Sequence, residues 1–403
     1  MKPLFFYSLP PAGNKIPIHA ILCAIKASRQ GDNDKFLDPI KDYLGTRNLL
    51  YLSSGRAALW LIMMTLAKLR PDRTEVIVPA FTCPAVASAV LKAGLKPVLC
   101  DNNLLDFGLS GGELAERINK ETLAVVLVHL FGYPANILEV QEICRKHGVL
   151  LVEDAAQAFG NCFSDSENSK LGLLGDAGFF SFGRGKPLSL MHGGVFIAKS
   201  EEIFDEANSF YQNLNHEGSF RNLRYGLNVS SYSLLSNPFL YWIPQRIHSL
   251  HLGETIFESE FIPSSGVEMA RSVACRMLKS IEMEKEVRQA NSEWYSINLS
   301  DIPWVQKLPS SKFPYLRYPL LVKDREMRNC VLNLLMSQGT GAALFYPSPL
   351  NELPGLQEVL KDETVYTNAR RLSDLLITLP VHSGVTAKIR NRIRTIVQHG
   401  IDG

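Results

Sequence analysis

The chain has no hydrophobic run long enough to cross a membrane, since no stretch reaches the roughly 18 apolar residues that a spanning helix needs. It also has no strong excess of charge of either sign. With 42 basic and 40 acidic residues the formal net charge is +2, which gives no reason to expect nucleic acid as a partner. The N-terminal apolar run is too short for a signal peptide, and Pro10 and Pro11 interrupt it.

Cysteine is sparse as well. The seven cysteines are odd in number, scattered along the chain and never spaced as C-x-x-C, which is typical of reduced thiols and argues against a disulfide framework or a zinc site. Together with the missing signal peptide and membrane span, this pattern predicts a cytoplasmic protein without a metal centre.

Residues 50–200 are filled by short apolar runs that alternate with longer segments of helical period. The predicted strands are 75–79, 97–101, 123–129, 149–153, 178–182 and 194–198, and the predicted helices between them are 56–69, 84–93, 112–119 and 137–147. The strand candidates do not alternate apolar with polar residues, so we expect both faces of each strand to be buried. This combination predicts an α/β fold with a mostly parallel central sheet and flanking helices.

With 403 residues, 46% of them hydrophobic and 20% charged, the chain is long enough for two domains. The pattern changes after residue 200, and we predict a large α/β domain over 1–265, including the N-terminal segment, and a smaller α+β domain over 266–403. A further helix is predicted near the N-terminus at 18–29, and the elements predicted in the smaller domain are a helical stretch at 267–295, a strand at 315–322, a helix at 324–338 and a last helix from about 386.

Chemistry-bearing residues follow several of the predicted strands. Asp154 and Gln157 follow the strand 149–153, Lys186 follows 178–182, and Cys83 follows 75–79. In open parallel sheets a ligand binds outside the carboxyl ends of the strands. We therefore expect these separate regions to meet in one crevice.

That set of residues is suited to pyridoxal phosphate. Lys186 offers an amine that attaches the cofactor covalently and then serves as general base and acid. Asp154 offers a carboxylate that keeps the ring nitrogen protonated, because an opposite charge at close range favours the charged form. Gln157 is in position to bond the ring hydroxyl. Taken alone, Lys186 would be read as a solvated loop lysine, and Glu153 and Asp154 as a pair that caps the next turn.

A phosphate needs a cluster of donors, and a turn of small residues that leads into a helix provides one. The N-terminus of a helix presents free N–H groups and a positive dipole. Ser54, Gly55 and Arg56 are the candidates at this turn, joined by Ser181 from the later strand. The alternative is an ordinary helix N-cap by Ser53 or Ser54.

As a set these residues resemble the DegT/DnrJ/StrS family of pyridoxal-phosphate sugar aminotransferases, which have the aspartate-aminotransferase fold, type I. The matching stretches are 53–59 (SSGRAAL), 75–82 (EVIVPAFT), 93–98 (AGLKPV), 129–134 (HLFGYP) and 153–158 (EDAAQA), then Gly175-Asp176, Ser181-Phe182, Lys186 and Gly193-Gly194, with weaker matches at Tyr346-Pro347 and 379–382 (LPVH). The resemblance implies a homodimer with active sites at the subunit interface. It also implies transfer of an amino group, usually from glutamate, to a keto sugar attached to a nucleotide.

Several positions depart from the family pattern. Arg56 stands where threonine is usual, and Cys83 stands where an aromatic residue often stacks on the cofactor ring, which leaves the identity of the ring cover open. His192 replaces a glutamate before the Gly-Gly pair and is either a substrate contact or a packed or solvated histidine. Arg184 is either a contact to a substrate phosphate or a surface arginine.

The largest departure is 214–265. Gly226-Leu227-Asn228 matches a family loop whose asparagine reaches the cofactor phosphate of the neighbouring subunit, but the helix that should follow comes only later, at 269–277. We interpret 214–265 as an insertion whose apolar residues form a lid, a membrane-surface contact or interface core; interface core needs no new partner. Arg221 and Arg224 are either contacts to a substrate diphosphate or a solvated pair.

Three functions are therefore compared. The leading hypothesis is an aminotransferase that acts on a nucleotide-linked keto sugar for a polysaccharide or glycoconjugate. The second keeps the cofactor but changes the amine acceptor or the reaction; related dehydratases carry histidine at the lysine position, so Lys186 argues against that branch. The third is a non-catalytic relative that binds a partner or regulates, against which the joint presence of Lys186, Asp154 and Gln157 argues.

Overall fold

A seven-stranded sheet forms the centre of the molecule in the computed structural model, which describes residues 7–12, 16–28, 37–164, 166, 169–215, 219–247, 255–306 and 313–399. The strands are β1 (Leu49–Leu52), β2 (Glu75–Pro79), β3 (Lys96–Cys100), β4 (Thr122–Val128), β5 (Leu150–Asp154), β6 (Ala177–Ser181), β7 (Gly194–Ala198), β8 (Tyr318–Leu321) and β9 (Leu376–Leu379). The α-helices are α1 (Ile18–Ser28), α2 (Asp38–Leu44), α3 (Gly55–Leu69), α4 (Pro84–Lys92), α5 (Gly111–Arg117), α6 (Ile137–His147), α7 (Glu201–Gln212), α8 (Ser219–Leu235), α9 (Trp242–Gln245), α10 (Glu268–Met277), α11 (Ile281–Leu299), α12 (Arg325–Ser337), α13 (Leu356–Leu360), α14 (Thr367–Leu375) and α15 (Ala387–His399).

The strand order of the large sheet is β1-β7-β6-β5-β4-β2-β3. The neighbours from β3 to β6 run parallel, whereas β7 is antiparallel to β6 and β1 is antiparallel to β7. The predicted α/β fold with a mostly parallel sheet is therefore confirmed. β1 is the strand of this sheet that the sequence analysis missed.

The central strands are apolar because helices cover both faces of the sheet. All seven residues of β4 are buried, and each fully buried Val or Leu side chain stabilises the fold by about 1.5–3 kcal/mol. On one face α3 packs over β6 and β7, whereas α6 packs against β4 and β5 on the opposite face. α6 buries Ile137, Val140 and Cys144, which share one face of the helix, and it ends at Gly148 in the left-handed conformation.

The C-terminal part carries a two-stranded antiparallel sheet of β8 and β9. α12 and α14 contact this sheet, and α15 packs on α11 and α12. The helical stretch predicted from residue 267 is α10 and α11, separated by the short 3-10 turn Leu278–Ser280. The helix expected at 18–29 is α1, and its last predicted residue, Arg29, lies outside the described residues. The division into domains at residue 265 stays a prediction.

Within the segment 214–265, residues 216–218 and 248–254 lie outside the described residues. The described part contains helices. α8 carries the Gly226-Leu227-Asn228 motif in its interior, so a helix stands where a loop was expected. Gly226 lies there against the side chain of Met269: a Cβ at that position would lie 3.4 Å from Cε of the methionine. In the part of the chain that the structure describes, no helix has the length and apolar character to span a membrane.

Candidate active site

The ends of two neighbouring strands and the start of one helix enclose a cavity of about 200 Å³, which we name the first cavity. Asp154 ends β5, Ser181 ends the adjacent β6, and α3 begins at Gly55 opposite them. The sequence-predicted residues that line it are Ser54, Gly55, Arg56, Cys83, Asp154, Gln157, Ser181 and Lys186. The separate regions therefore meet in one crevice at the carboxyl ends of the strands, as expected.

Asp154 presents a buried carboxylate to this cavity. Its Oδ1 accepts a hydrogen bond of 3.0 Å from the backbone N–H of Ala156, and it forms no salt bridge with any described residue. Burial raises the pKa of Asp154, and the hydrogen bond from Ala156 and the charge of Lys186 only partly oppose that rise. A buried carboxylate without a close cation suits a ligand that brings a positive charge, such as a protonated ring nitrogen.

The neighbouring Glu153 has a different task. Its carboxylate accepts hydrogen bonds from His129 Nε2 (2.9 Å) and from three backbone N–H groups, those of Gly172 (2.9 Å), Leu174 (2.5 Å) and Gly175 (2.7 Å). Burial works to raise the pKa of Glu153, but the hydrogen bonds outweigh it, so the pKa is lowered. Ala135 N–H donates to His129 Nδ1, so Nε2 carries the proton that Glu153 accepts. Glu153 therefore supports the fold, whereas Asp154 faces the cavity.

The side-chain oxygen of Gln157 is fixed by a hydrogen bond to the backbone. Oε1 accepts a 3.0 Å hydrogen bond from the backbone N–H of Phe131, whose φ of 59° is left-handed. Because that bond fixes the oxygen on the backbone, the side-chain NH₂ group is left to donate to a ligand. The predicted partner of a ring hydroxyl is thus oriented as a donor.

The start of α3 is packed closely against β6 and β7. Ser54 is the N-cap, as one of the alternatives expected, since its Oγ accepts a 3.1 Å hydrogen bond from Ala57 N–H. Its hydroxyl hydrogen can still be donated. A Cβ on Gly55 would lie 2.7 Å from Cβ of Ser181, and one on Gly194 would lie 2.4 Å from the carbonyl oxygen of Ser54. Glycine at both positions lets the helix N-terminus and Ser181 share one small site, which suits a phosphate.

Thr82 supplies an independent sign that the first cavity holds a ligand. Its hydroxyl is buried, lines the cavity and has no hydrogen-bond partner among the described residues. A buried polar atom left unsatisfied costs about 1–3 kcal/mol, so such atoms usually have an unseen partner. The amine, the buried carboxylate, the amide donor and these hydroxyls together fit pyridoxal phosphate. In the sequence analysis Thr82 is only the last residue of the matching stretch 75–82 and has no role of its own.

Arg56 turns toward the segment that follows α9. Its Nη2 lies 2.7 Å from Oε2 of Glu258, and its Cζ lies 4.5 Å from the ring centroid of Phe261. The guanidinium is therefore engaged by an ion pair and a cation–π contact. A contact of Arg56 with the cofactor phosphate stays a prediction.

Cys83 is accompanied by an aromatic side chain. Tyr346 is 9% exposed and lines the first cavity together with Cys83. Burial, followed by the Cys83 and Asp154 charges, raises the pKa of Tyr346 well above 10.0. The ring also packs edge-on to Phe81 with centroids 5.3 Å apart. Tyr346 appeared in the sequence analysis only within a weak late match, and its place beside Cys83 comes from the fold.

A second cavity of about 330 Å³ shares Arg56, Cys83, Lys186 and Tyr346 with the first. Lys186 thus stands at the junction between the two. The other polar and aromatic side chains that line the second cavity are Arg184, Tyr232, Tyr241, Thr255, Arg317 and Phe345. Of the four predicted substrate contacts, Arg184 is the one that lines this cavity.

The remaining predicted site residues lie elsewhere. His192 Nε2 accepts a 3.3 Å hydrogen bond from Val267 N–H and its ring packs edge-on to Tyr225, so it is the packed histidine of the two alternatives. Arg221, Arg224 and Asn228 are exposed on α8 and line neither the first nor the second cavity. Asn228 lines a separate cavity beside Arg184 and Tyr232. The substrate and cofactor roles of these three residues stay predictions.

A mostly parallel sheet with lysine, aspartate and a helix N-terminus around one cavity defines a pyridoxal-phosphate protein of fold type I. The chain belongs to the DegT/DnrJ/EryC1/StrS aminotransferase family, whose sequence model matches residues 20–230 and 267–398. The predicted family and cofactor are confirmed. The match is wider than the stretches between residues 53 and 194 that carried most of the resemblance, and it omits 231–266, which we name the intervening segment.

Similar proteins of known activity are sugar aminotransferases. A GDP-perosamine synthase of Vibrio cholerae is 30% identical over 200 residues, which is 50% of this chain and 52% of that protein. A dTDP-4-dehydro-2,3,6-trideoxy-D-glucose 4-aminotransferase of Saccharopolyspora spinosa is 26% identical over 362 residues, or 88% of this chain and 85% of that protein. The chain spans about half the length of the first curated relatives it matches.

Solved structures share the fold along the whole chain. PseC of Helicobacter pylori, an aminotransferase involved in the biosynthesis of pseudoaminic acid, has a TM-score of 0.74 at 19% identity and covers 100% of both chains. A GDP-4-keto-6-deoxy-D-mannose-3-dehydratase of E. coli with bound hydrated PLP also has a TM-score of 0.74, at 18% identity, covering 97% of this chain and 100% of that one. At these identities the likeness establishes the fold alone.

Proposed function

We propose that the protein is a pyridoxal-phosphate-dependent aminotransferase that transfers an amino group, supplied by glutamate, to a nucleotide-linked keto sugar for polysaccharide or glycoconjugate biosynthesis. One observation carries the proposal: Lys186 lines both the first cavity, suited to the cofactor, and the second cavity of about 330 Å³, which can take a substrate. The activities of two family relatives, a GDP-perosamine synthase and a 4-aminotransferase of a dTDP-linked dehydro sugar, support the substrate class.

When bound, pyridoxal phosphate supplies an electron sink for the carbon that carries the amino group. The side chains around it divide the remaining work. Lys186 Nζ attaches the cofactor and then takes up and returns the proton that moves during transfer. Asp154 holds the proton on the ring nitrogen, because its buried carboxylate favours a nearby cation. Gln157 donates its NH₂ group to the ring hydroxyl, and Ser54, Ser181 and the α3 N-terminus donate to the phosphate.

Replacement of the lysine tests the central assignment. Lys186→Ala should abolish both amino transfer and any borohydride-reducible link between cofactor and protein, because the attaching amine is gone. Lys388→Ala, at an exposed position on α15, is the matched control and should keep both. A reducible link that persists in Lys186→Ala would refute the assignment. A screen of nucleotide keto sugars with glutamate, followed at the cofactor absorbance, would identify the acceptor.

We further infer that the protein works as a homodimer in the cytoplasm. The interface is supported by α8, where Leu223, Leu227 and Leu234 are each more than 60% exposed on the helix that also carries the exposed Asn228. The location is supported by the seven cysteines, none of which forms a disulfide. Sedimentation of the purified holoenzyme at the mass of one chain would contradict the dimer.

A further inference from the structure

The second cavity is lined by cations and by no carboxylate among the described residues. Its charged lining side chains are Arg56, Arg184, Lys186 and Arg317. Arg56 is engaged with Glu258, and Lys186 is assigned to the cofactor. This leaves Arg184 and Arg317 as cations with no assigned partner at the position where a substrate would enter.

Arg317 lies one residue before β8 and reaches back to the loop that carries Lys186. Its Nη2 lies 3.7 Å from where a Cβ on Gly185 would be, and its Cζ lies 5.9 Å from the ring centroid of Phe345. Gly185 separates Arg184 from Lys186 in the sequence, so the two guanidinium groups belong to one wall of the cavity. The side chain of Arg317 is half-buried.

No described residue supplies Arg317 with an acceptor. It takes part in no salt bridge and no hydrogen bond with the described residues, and the groups whose charges act on it are Tyr241, Tyr346, Arg184 and Tyr232. Burial, followed by repulsion from Arg184, works to lower the pKa of Arg317. A desolvated guanidinium without an anion is costly unless a ligand brings one.

Two tyrosines of the intervening segment complete the wall. Tyr232 and Tyr241 both line the second cavity. Burial raises the pKa of both phenols, so both keep their protons near neutral pH and can donate them. Donors and positive charge therefore face the same space.

We propose that Arg317 and Arg184, assisted by the hydroxyls of Tyr232 and Tyr241, form a subsite that binds an anionic group of a substrate beside Lys186. This inference rests on the proposed aminotransferase function. The shared chemistry is a carboxylate or phosphate oxygen, which guanidinium groups bind through charge-assisted hydrogen bonds. Its two possible sources are the carboxylate of the amino donor and the diphosphate of the nucleotide sugar. In either case the intervening segment helps to select the substrate.

Calorimetric titration of the holoenzyme with unreactive probes separates the sources. Glutarate represents the donor carboxylate, and inorganic pyrophosphate and UDP represent the diphosphate. Arg317→Met should weaken the probe that uses the subsite at least about tenfold, because a charge-assisted hydrogen bond is lost. Arg317→Lys should recover part of the loss, and Arg371→Met, at an exposed position on α14, should change nothing.

Arg184→Met provides a second variant at an exposed position, where folding is not at risk, and it should weaken the same probe. Weakening of glutarate alone would assign the subsite to the donor, and weakening of pyrophosphate or UDP alone would assign it to the nucleotide sugar. The proposal is overturned if no probe binds the wild type, or if both methionine variants bind every probe as the wild type does. Because the probes do not react, this outcome is independent of whether amino transfer itself is detected.

Discussion

The two cavities that meet at Lys186 are built in different ways. Apart from Tyr346 of the C-terminal part, the described lining of the first is made of strand ends, a helix N-terminus and loops within residues 54–186, and all of it matches the family. The second takes Tyr232 and Tyr241 from the intervening segment and Arg317 from the C-terminal part. Backbone geometry thus fixes the first cavity, whereas side chains from distant parts of the chain shape the second. We infer that the first cavity carries the chemistry and the second carries the choice of substrate.

The largest effect on the first cavity is expected from Asp154→Asn. Amino transfer should fall at least about 100-fold, because the ring nitrogen loses its buried counter-charge. The cofactor-free protein should nevertheless gain stability at pH 7. Burial raises the pKa of Asp154 above 3.8, so the folded state binds the proton more tightly than the unfolded state. Stability contributed by this group therefore falls as pH rises, and the neutral amide avoids that loss. Turnover and urea unfolding check the two parts.

Asp101 is the matched control for that substitution. It is also buried, but its carboxylate accepts hydrogen bonds from the backbone N–H groups of Asn368 (2.9 Å) and Ala369 (2.8 Å) at the start of α14. Asp101→Asn should lower the stability of the cofactor-free protein, since an NH₂ group would face N–H donors. If Asp154→Asn destabilised the protein as Asp101→Asn does, Asp154 would be a structural residue. The different roles assigned to Asp154 and Glu153 would then be wrong.

Glu153→Gln tests the framework beneath the first cavity. We expect the free energy of unfolding at pH 7 to fall by about 2–4 kcal/mol, because His129 and three backbone N–H groups lose a charged acceptor. The pKa of Glu153 is lowered from 4.5 in the folded state, so its contribution is complete above that value and is lost as pH falls through the folded pKa. Denaturation curves of variant and wild type should therefore converge in acid. A constant difference across pH 3–7 would contradict the charge-based account.

The first cavity was largely predictable from the sequence because its parts obey short-range rules. Apolar runs located β2, β5 and β6 to within about a residue at each end, and the strand-end rule then placed Asp154 and Lys186 together. Ser54, ahead of a helical pattern, was recognisable as an N-cap. The sequence could not show which residue of the pair Glu153 and Asp154 faces the cavity. The contact with His129 in the folded structure shows that Glu153 points into the framework.

The second cavity was predictable only in part. Arg184 was a candidate contact to a substrate phosphate, but Arg317 precedes a short strand and resembles any arginine at a strand end, so nothing local joins the two. The apolar and aromatic residues of 214–265 were interpreted first as interface core. Tyr232 and Tyr241 instead line the cavity at Lys186, as a lid would, while Leu223, Leu227 and Leu234 remain exposed on α8. Long-range packing decides whether such a residue lines a cavity or stays exposed, and the periodicity of the sequence does not predict which.

The smallest effect is expected where the intervening segment is fastened to α3. Glu258→Gln removes the ion pair with Arg56, and because Glu258 is 59% exposed the free energy of unfolding should fall by less than about 1 kcal/mol. The segment contributes to the second cavity and not to the first, so KM for the sugar acceptor should rise while the affinity for pyridoxal phosphate stays unchanged. Glu260→Gln breaks a similar pair on the same segment with Lys92, which lines neither cavity, and should leave both quantities unchanged. A loss of cofactor affinity in Glu258→Gln would indicate that Arg56 also contacts the cofactor phosphate. The two cavities would then not be independent of each other.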